Sequence, residues 1–197
     1  MNEMEQFRQE LLAACAAEPV CSGRKIITGE GKTGQPAIML IGEAPGAQEE
    51  QQGRPFVGKA GKNLDELLAR LSLPRGELWV SNVVKLRPFR VSPRGTVANR
   101  PPNRQELAFF TPWLQREIAL VQPDLVVTLG NTALHAVAGD GLVIGDCHGA
   151  PMAVSHPIFG RITLFPLYHP ASIIYNRALI AVWDADVAAL GSYLERR

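Results

Sequence analysis

Three short polar stretches carry residue types able to act on a ligand: Gly42-Glu-Ala-Pro-Gly46, Asn82, and His169-Pro-Ala-Ser172. Each falls at or just beyond the end of an apolar run, at residues 37–41, 78–84 and 162–165. The amide of Asn82 offers one hydrogen-bond acceptor and one donor, enough to read one edge of a planar ligand. Gly42, Pro45 and Gly46 make a turn tight enough for backbone N–H groups to face that ligand. The turn lacks the Gly-Lys-Ser/Thr ending of a nucleotide-binding P-loop and the spacing of a dinucleotide fingerprint. A lone asparagine or histidine in such a place is more often structural; their joint placement points to one crevice.

The elements that must position these residues alternate between strand and helix. Apolar residues at 4, 7, 11, 12 and 15 recur with helical spacing, which puts Cys15 on the apolar face of an opening helix. Residues 37–41 read as a buried central strand ended by Gly42. Residues 43–58 hold too many glycines and prolines for a helix and read as a loop. A helix through Leu64, Leu67, Leu68 and Leu71 stops near Pro74, and a strand spans 78–84. A long loop, 85–102, has no carboxylate. Asn103 is placed to cap a helix reaching Val121, with Thr111-Pro112 as a kink or restart. A strand over 124–129, a short helix over 132–138 ended by Gly139, a strand over 162–165 and a final helix over 173–194 complete the pattern. This predicts an α/β fold, three layers (α/β/α) around a central parallel sheet, with ligands at the carboxyl ends of the strands.

A chain of 197 residues with 46% apolar and 20% charged residues fits one domain over 1–197. No window approaches eighteen uninterrupted apolar residues, and residues 1–10 are polar, so the expectation is a cytoplasmic protein with no membrane contact. Three cysteines, Cys15, Cys21 and Cys147, are too few for a disulfide framework. The net charge of +1 hides an asymmetry: residues 51–104 hold eleven Lys or Arg against three acids, +8, which leaves −7 for the rest. Such a segment suits a phosphate-binding face, or equally a solvated loop.

Gly42-Glu-Ala-Pro-Gly-Ala-Gln-Glu-Glu50, followed by Gly53-Arg-Pro-Phe-Val-Gly-Lys-Ala-Gly61, resembles the first signature of the family 4 uracil-DNA glycosylases. Ser81-Asn-Val-Val-Lys85 resembles that family's strand with the base-reading asparagine, and His169-Pro-Ala-Ser172 resembles its histidine motif. The similarity runs over residues 29–194. It implies a uracil-DNA glycosylase-like fold and a monomeric, monofunctional DNA-repair hydrolase that cuts the N-glycosidic bond of uracil in DNA. Such an enzyme extrudes the nucleotide into a pocket and reads its Watson–Crick edge there. Phe56 then stacks on the base, Asn82 matches the N3–H and O4 of uracil, whose pattern cytosine reverses, and His169 donates to O2 as negative charge accumulates. Gly42, Ala44 and Gly46 border the base. Ala44 stands where the wider superfamily often has a carboxylate or amide, which leaves Glu43 and Glu49 as candidates to activate water. Glu49 is also a candidate to exclude the thymine methyl, and Glu50 reads as a solvent-exposed acid. Lys85, Arg87, Arg90, Arg94, Arg100, Ser172 and Arg177 are the expected DNA contacts. Ile173, Ile174 or Tyr175 would fill the vacated stack or pack in the final helix.

Typical members bind a 4Fe–4S cluster through four cysteines. Leu86 and Phe110 stand at the third and fourth positions, Cys15 and Cys21 are separated by five residues, and three thiolates cannot replace four. The expectation is therefore no metal and no cofactor. Residues 89–102 also lack the histidine of the related covalent uracil-DNA binders. Lys85 leaves a Schiff-base lyase step open. Alternatives to uracil excision are a non-catalytic uracil- or DNA-binding protein of the same fold, a glycosylase for another deaminated base, or a hydrolase of free nucleosides.

Overall fold

The computed structural model describes residues 2–32, 34, 36 and 38–196; Ala37, expected in the first strand, lies outside the described residues. A central sheet is built from β1 (Glu30–Gly31), β2 (Ile38–Gly42), β3 (Trp79–Asn82), β6 (Leu125–Leu129), β7 (Met152–His156) and β8 (Gly160–Leu167), in the order β1-β3-β2-β6-β8-β7. The four inner strands are mutually parallel, and the edge strands β1 and β7 run antiparallel to their neighbours. The sheet is thus mostly parallel. The other two strands, β4 (Phe89–Val91) and β5 (Val97–Asn99), form a separate hairpin.

Helices α1 (Glu3–Ala17), α2 (Ala47–Gln52), α3 (Lys59–Arg70), α4 (Arg104–Val121), α5 (Asn131–Ala138), α6 (Ile144–Cys147), α7 (Ser172–Tyr175) and α8 (Ile180–Glu195) surround the sheet. Because strand side chains alternate, β2 feeds two cores. Met39 and Ile41 pack with Phe7 and Leu11 of α1, Leu114 and Ile118 of α4 and Leu134 of α5. Ile38 and Leu40 pack on the other face with Leu64 and Leu67 of α3 and Trp183 and Val187 of α8. Both faces of β2 are buried, which explains its unbroken apolar run. Among the described residues, no helix is long and apolar enough to cross a membrane.

Several expectations are corrected. The 43–58 segment contains α2: Gly46 caps its start, where Glu49 accepts the Gly46 N–H at 3.1 Å, and Gly53 ends it with φ of 76°. Its apparent breakers are its caps. The 85–102 loop folds into the β4–β5 hairpin. Helix α4 starts at the Asn103 cap and runs through Pro112 without a restart. The final helix is divided: α7 ends at Tyr175, and the side chain of the next residue, Asn176, accepts the Ala178 N–H at 3.1 Å before α8 begins. On α1, Met4, Phe7, Leu11 and Cys15 face inward, whereas Leu12 is exposed.

Candidate active site

A pocket of about 810 Å³ opens where the carboxyl ends of β2, β3, β6 and β8 converge. Chain order reverses between β2 and β6, since β3 lies on one side of β2 and β6 on the other. That is the crevice where open α/β sheets place ligands. Phe56, Asn82 and His169 all line it.

Asn82 ends β3 directly beside Gly42 in the parallel register. It is buried, and among the described residues its side-chain amide has no protein partner. Because Asn82 lines the pocket, an amide that the fold leaves without a partner there is available to a ligand. Gly42 does not line the pocket; it forms the floor beneath these side chains. A Cβ there would overlap the Phe56 ring and stand 2.6 Å from Asn82 Oδ1, so only glycine lets both approach.

Phe56 is buried with φ of 51°, a left-handed backbone rare for an aromatic residue. Arg75 holds it there, donating to Phe56 O at 3.1 Å and Pro55 O at 2.6 Å while pairing with Asp65 at 3.0 Å. The rings of Phe56 and His169 lie 28° from parallel with centroids 6.1 Å apart. Sequence reading missed Arg75, which is separated from Phe56 by all of α3.

His169 follows β8 and is held by its own motif. Its Nδ1 accepts the Ala171 N–H at 3.1 Å, and its carbonyl accepts the Ser172 hydroxyl at 2.6 Å. Asn63 Nδ2 ties the turn to α3 through Pro170 O at 2.9 Å. Because a backbone N–H can only donate, Nδ1 must accept, and the proton of the neutral ring sits on Nε2. Burial lowers the His169 pKa to about 4, against an opposing pull from the Glu49 carboxylate. The site therefore presents a neutral imidazole with one N–H donor.

The two carboxylates differ in what they hold. Glu49 is buried, and both its oxygens accept backbone N–H groups: Gly46 at 3.1 Å, Val57 at 2.9 Å and Gly58 at 2.7 Å. It fastens the two halves of the first motif together. The Gly46 N–H is thereby engaged and does not face a ligand. Glu43 is half-buried and accepts one hydrogen bond, from Thr132 Oγ1 at 2.5 Å, which leaves its other oxygen without a protein partner among the described residues. Ala44 lines the pocket between them.

Of the expected DNA contacts, Arg90, Arg94 and Arg177 are exposed and have no ion-pair partner among the described residues. The other four have partners within the chain. Lys85 is fully buried, with Nζ on Ser81 Oγ at 2.6 Å, Asn82 O at 2.6 Å and Glu117 Oε2 at 2.5 Å, so it reaches neither phosphate nor a Schiff-base position in the pocket. Arg87 binds Asn99 at 2.8 Å and Glu50 at 3.0 Å. That pairing also corrects Glu50, which is half-buried. Arg100 lines the pocket with both guanidinium arms on Glu106 at 2.7 Å. Ser172 lines it as well, but its hydroxyl proton is directed to His169 O. Sequence reading also missed Lys59, an exposed cation at the pocket lip.

The residues at the family's cluster positions do not fit an iron–sulfur group. Leu86 and Phe110 are fully buried in the same apolar core as Cys15 and Cys21, so two thiols meet two hydrocarbon side chains. Burial raises the pKa of both thiols. Among the described residues, no group of three or more His, Cys, Asp or Glu is placed to hold a metal ion.

With this geometry in place, sequence relationships become informative. The profile described as the Uracil DNA glycosylase superfamily matches residues 28–188. The chain is 36% identical to a type-4 uracil-DNA glycosylase of Pyrobaculum aerophilum, over 97% of this chain and 95% of that protein. It is 34% identical to one of Thermotoga maritima (90% and 86% covered) and 31% identical to one of Sulfurisphaera tokodaii (94% and 82%). A pocket bringing Phe56, Asn82 and His169 together at the sheet's crevice and these matches agree: the chain belongs to the uracil-DNA glycosylase superfamily.

Proposed function

We propose that this chain removes uracil from DNA by hydrolysing the bond between the base and its deoxyribose, leaving the sugar-phosphate backbone intact. The observation that carries the reading is the buried, unpartnered amide of Asn82 facing the same pocket as Phe56 and the Nε2 donor of His169. The extruded base stacks on Phe56 while Asn82 accepts from N3–H and donates to O4. Cytosine presents the opposite pattern and leaves both buried groups mispaired.

As the C1′–N1 bond breaks, its electron pair stays on the departing uracil and the sugar becomes oxocarbenium-like. His169 Nε2–H donates to O2, where negative charge collects. Glu43 is the better-placed water-orienting group, since it lines the pocket with one oxygen unpartnered among the described residues whereas Glu49 is occupied by three backbone donors. Water attacks C1′ as its proton passes to the Glu43 carboxylate, and that proton is returned through solvent to the uracil anion, which leaves as neutral uracil. No step needs a metal or cofactor, and the reading includes no iron–sulfur cluster, in keeping with Leu86 and Phe110 at its positions. In this reading the chain acts as a monomer. Lys59, Arg90, Arg94 and Arg177 supply the phosphate contacts.

A duplex oligonucleotide with one uracil tests this directly. The expected result is an alkali-labile site formed with turnover, and a rate lowered about 10²- to 10³-fold by Asn82→Ala or His169→Ala. A retarded but uncut duplex contradicts the reading and supports a binding protein.

A further inference from the structure

The β4–β5 hairpin is paired to no strand of the central sheet, and residues 90–99 are exposed throughout. An isolated hairpin is marginal in water, yet this one is braced at both ends. At its tip the Gly95 N–H donates to Ser92 O at 2.9 Å, the Ser92 N–H to Thr96 O at 2.9 Å and the Thr96 N–H to Ser92 Oγ at 3.1 Å, with Gly95 at φ 79°. At its base Arg100 Nε donates to Phe89 O at 3.1 Å, Arg87 holds Asn99, and the Arg24 guanidinium lies 4.4 Å from the Phe89 ring centroid.

The register pairs Phe89 with Asn99 and Val91 with Val97. Period-two alternation puts both pairs on one face. Asn99 lines the pocket, so the valine pair continues the pocket wall outward. Val91 and Val97 are 58% and 47% exposed, an apolar pair that the described residues leave about half uncovered. By the same alternation Arg90, paired with Ala98, projects from the opposite face, Arg94 stands in the turn between the two strands, and no carboxylate lies between residues 85 and 102. Ile174 and Tyr175 also line the pocket and are exposed, Tyr175 by 87%.

We propose that the hairpin is a second DNA-engaging arm. It lays Val91 and Val97 against sugars and base edges in a groove beside the extruded nucleotide, with Arg90 and Arg94 on the adjoining phosphates, while Ile174 and Tyr175 engage the duplex separately. This rests on the uracil-excision reading for its substrate. The chemistry favours DNA: a narrow hairpin with an exposed apolar pair on one face, arginines on its other face and at its tip, and no acid along it matches a groove walled by phosphates. A hairpin braced before binding also loses little entropy on docking.

The test uses Val91→Thr/Val97→Thr, which keeps shape and strand preference and removes apolar character. Uracil release is measured from a duplex and from a single-stranded trinucleotide too short to reach the hairpin, and fluorescence anisotropy reports binding to a uracil-free duplex. Expected are a rise of about tenfold in KM for the duplex and in Kd for the uracil-free duplex, with kcat and trinucleotide cleavage unchanged. Arg90→Ala/Arg94→Ala is expected to reduce the salt slope of log Kd by about two. Unchanged duplex KM and Kd in the valine variant, or equal losses on both substrates, overturn the proposal. If the unaltered chain releases no uracil from either substrate, the excision reading fails, and the anisotropy comparison alone decides the arm.

Discussion

Burial sets the protonation state of His169, and its neighbour Ala171 sets the tautomer. Desolvation disfavours the imidazolium, which carries the pKa from the ordinary 6.5 down to about 4. The ring is therefore neutral at every pH above that value and loses its proper form only on protonation below it. Single-turnover excision is expected to stay level in its dependence on His169 from pH 5.5 to 8, with the acid limb near pH 4. An acid limb centred near 6.5 that His169→Asn abolishes contradicts this. Asn82 and His169 were legible at this scale because each stands at or just beyond the end of an apolar run, whereas Phe56 was read from the motif it shares with the family. Their partners were not: nothing local in sequence joins Lys85 to Glu117, Arg87 to Glu50 or Phe56 to Arg75, so surface cations and buried ones read alike.

Strand β3 is tied to helix α4 by a buried polar network. Glu117 of α4 accepts from Trp79 Nε1 at 2.9 Å, from Ser81 Oγ and from Lys85 Nζ, and Lys85 also donates to the Asn82 carbonyl. Asn82, the residue proposed to read the base, thus hangs on an ion pair shut away from solvent. Lys85→Met leaves the Glu117 charge buried without its partner, and urea denaturation is expected to show a loss of about 3–5 kcal/mol. Adding Glu117→Gln is expected to recover part of it; a loss below 1 kcal/mol in the single variant contradicts the account. Element boundaries were legible where glycine, proline or asparagine stood between apolar runs, as at Asn103 and Gly139. They were misread where the same residues serve as caps inside a segment, as at Gly46 and Gly53 around α2 and at Asn176 between α7 and α8. The β4–β5 hairpin escaped notice because its residues are exposed on both faces and carry no alternation.

Across the whole molecule, four parallel strands deliver residues from positions 43 to 175 to one pocket, with separate apolar cores beneath the two sheet faces. The alternation of buried strands and helices made this architecture readable, whereas the antiparallel edges β1 and β7 did not stand out. β1 has two residues, and β7 alternates half-buried with exposed positions. What the sequence could not convey is that one basic segment splits into buried ion pairs, which hold the scaffold, and free arginines on the hairpin. The central claim is that the pocket is shaped for uracil, and a crystal structure of the chain with uracil bound tests it most directly. The account predicts the ring against Phe56, its N3 and O4 facing the Asn82 amide and its O2 within hydrogen-bonding reach of His169 Nε2. Uracil lodged elsewhere, or turned so that neither Asn82 nor His169 touches it, contradicts the account.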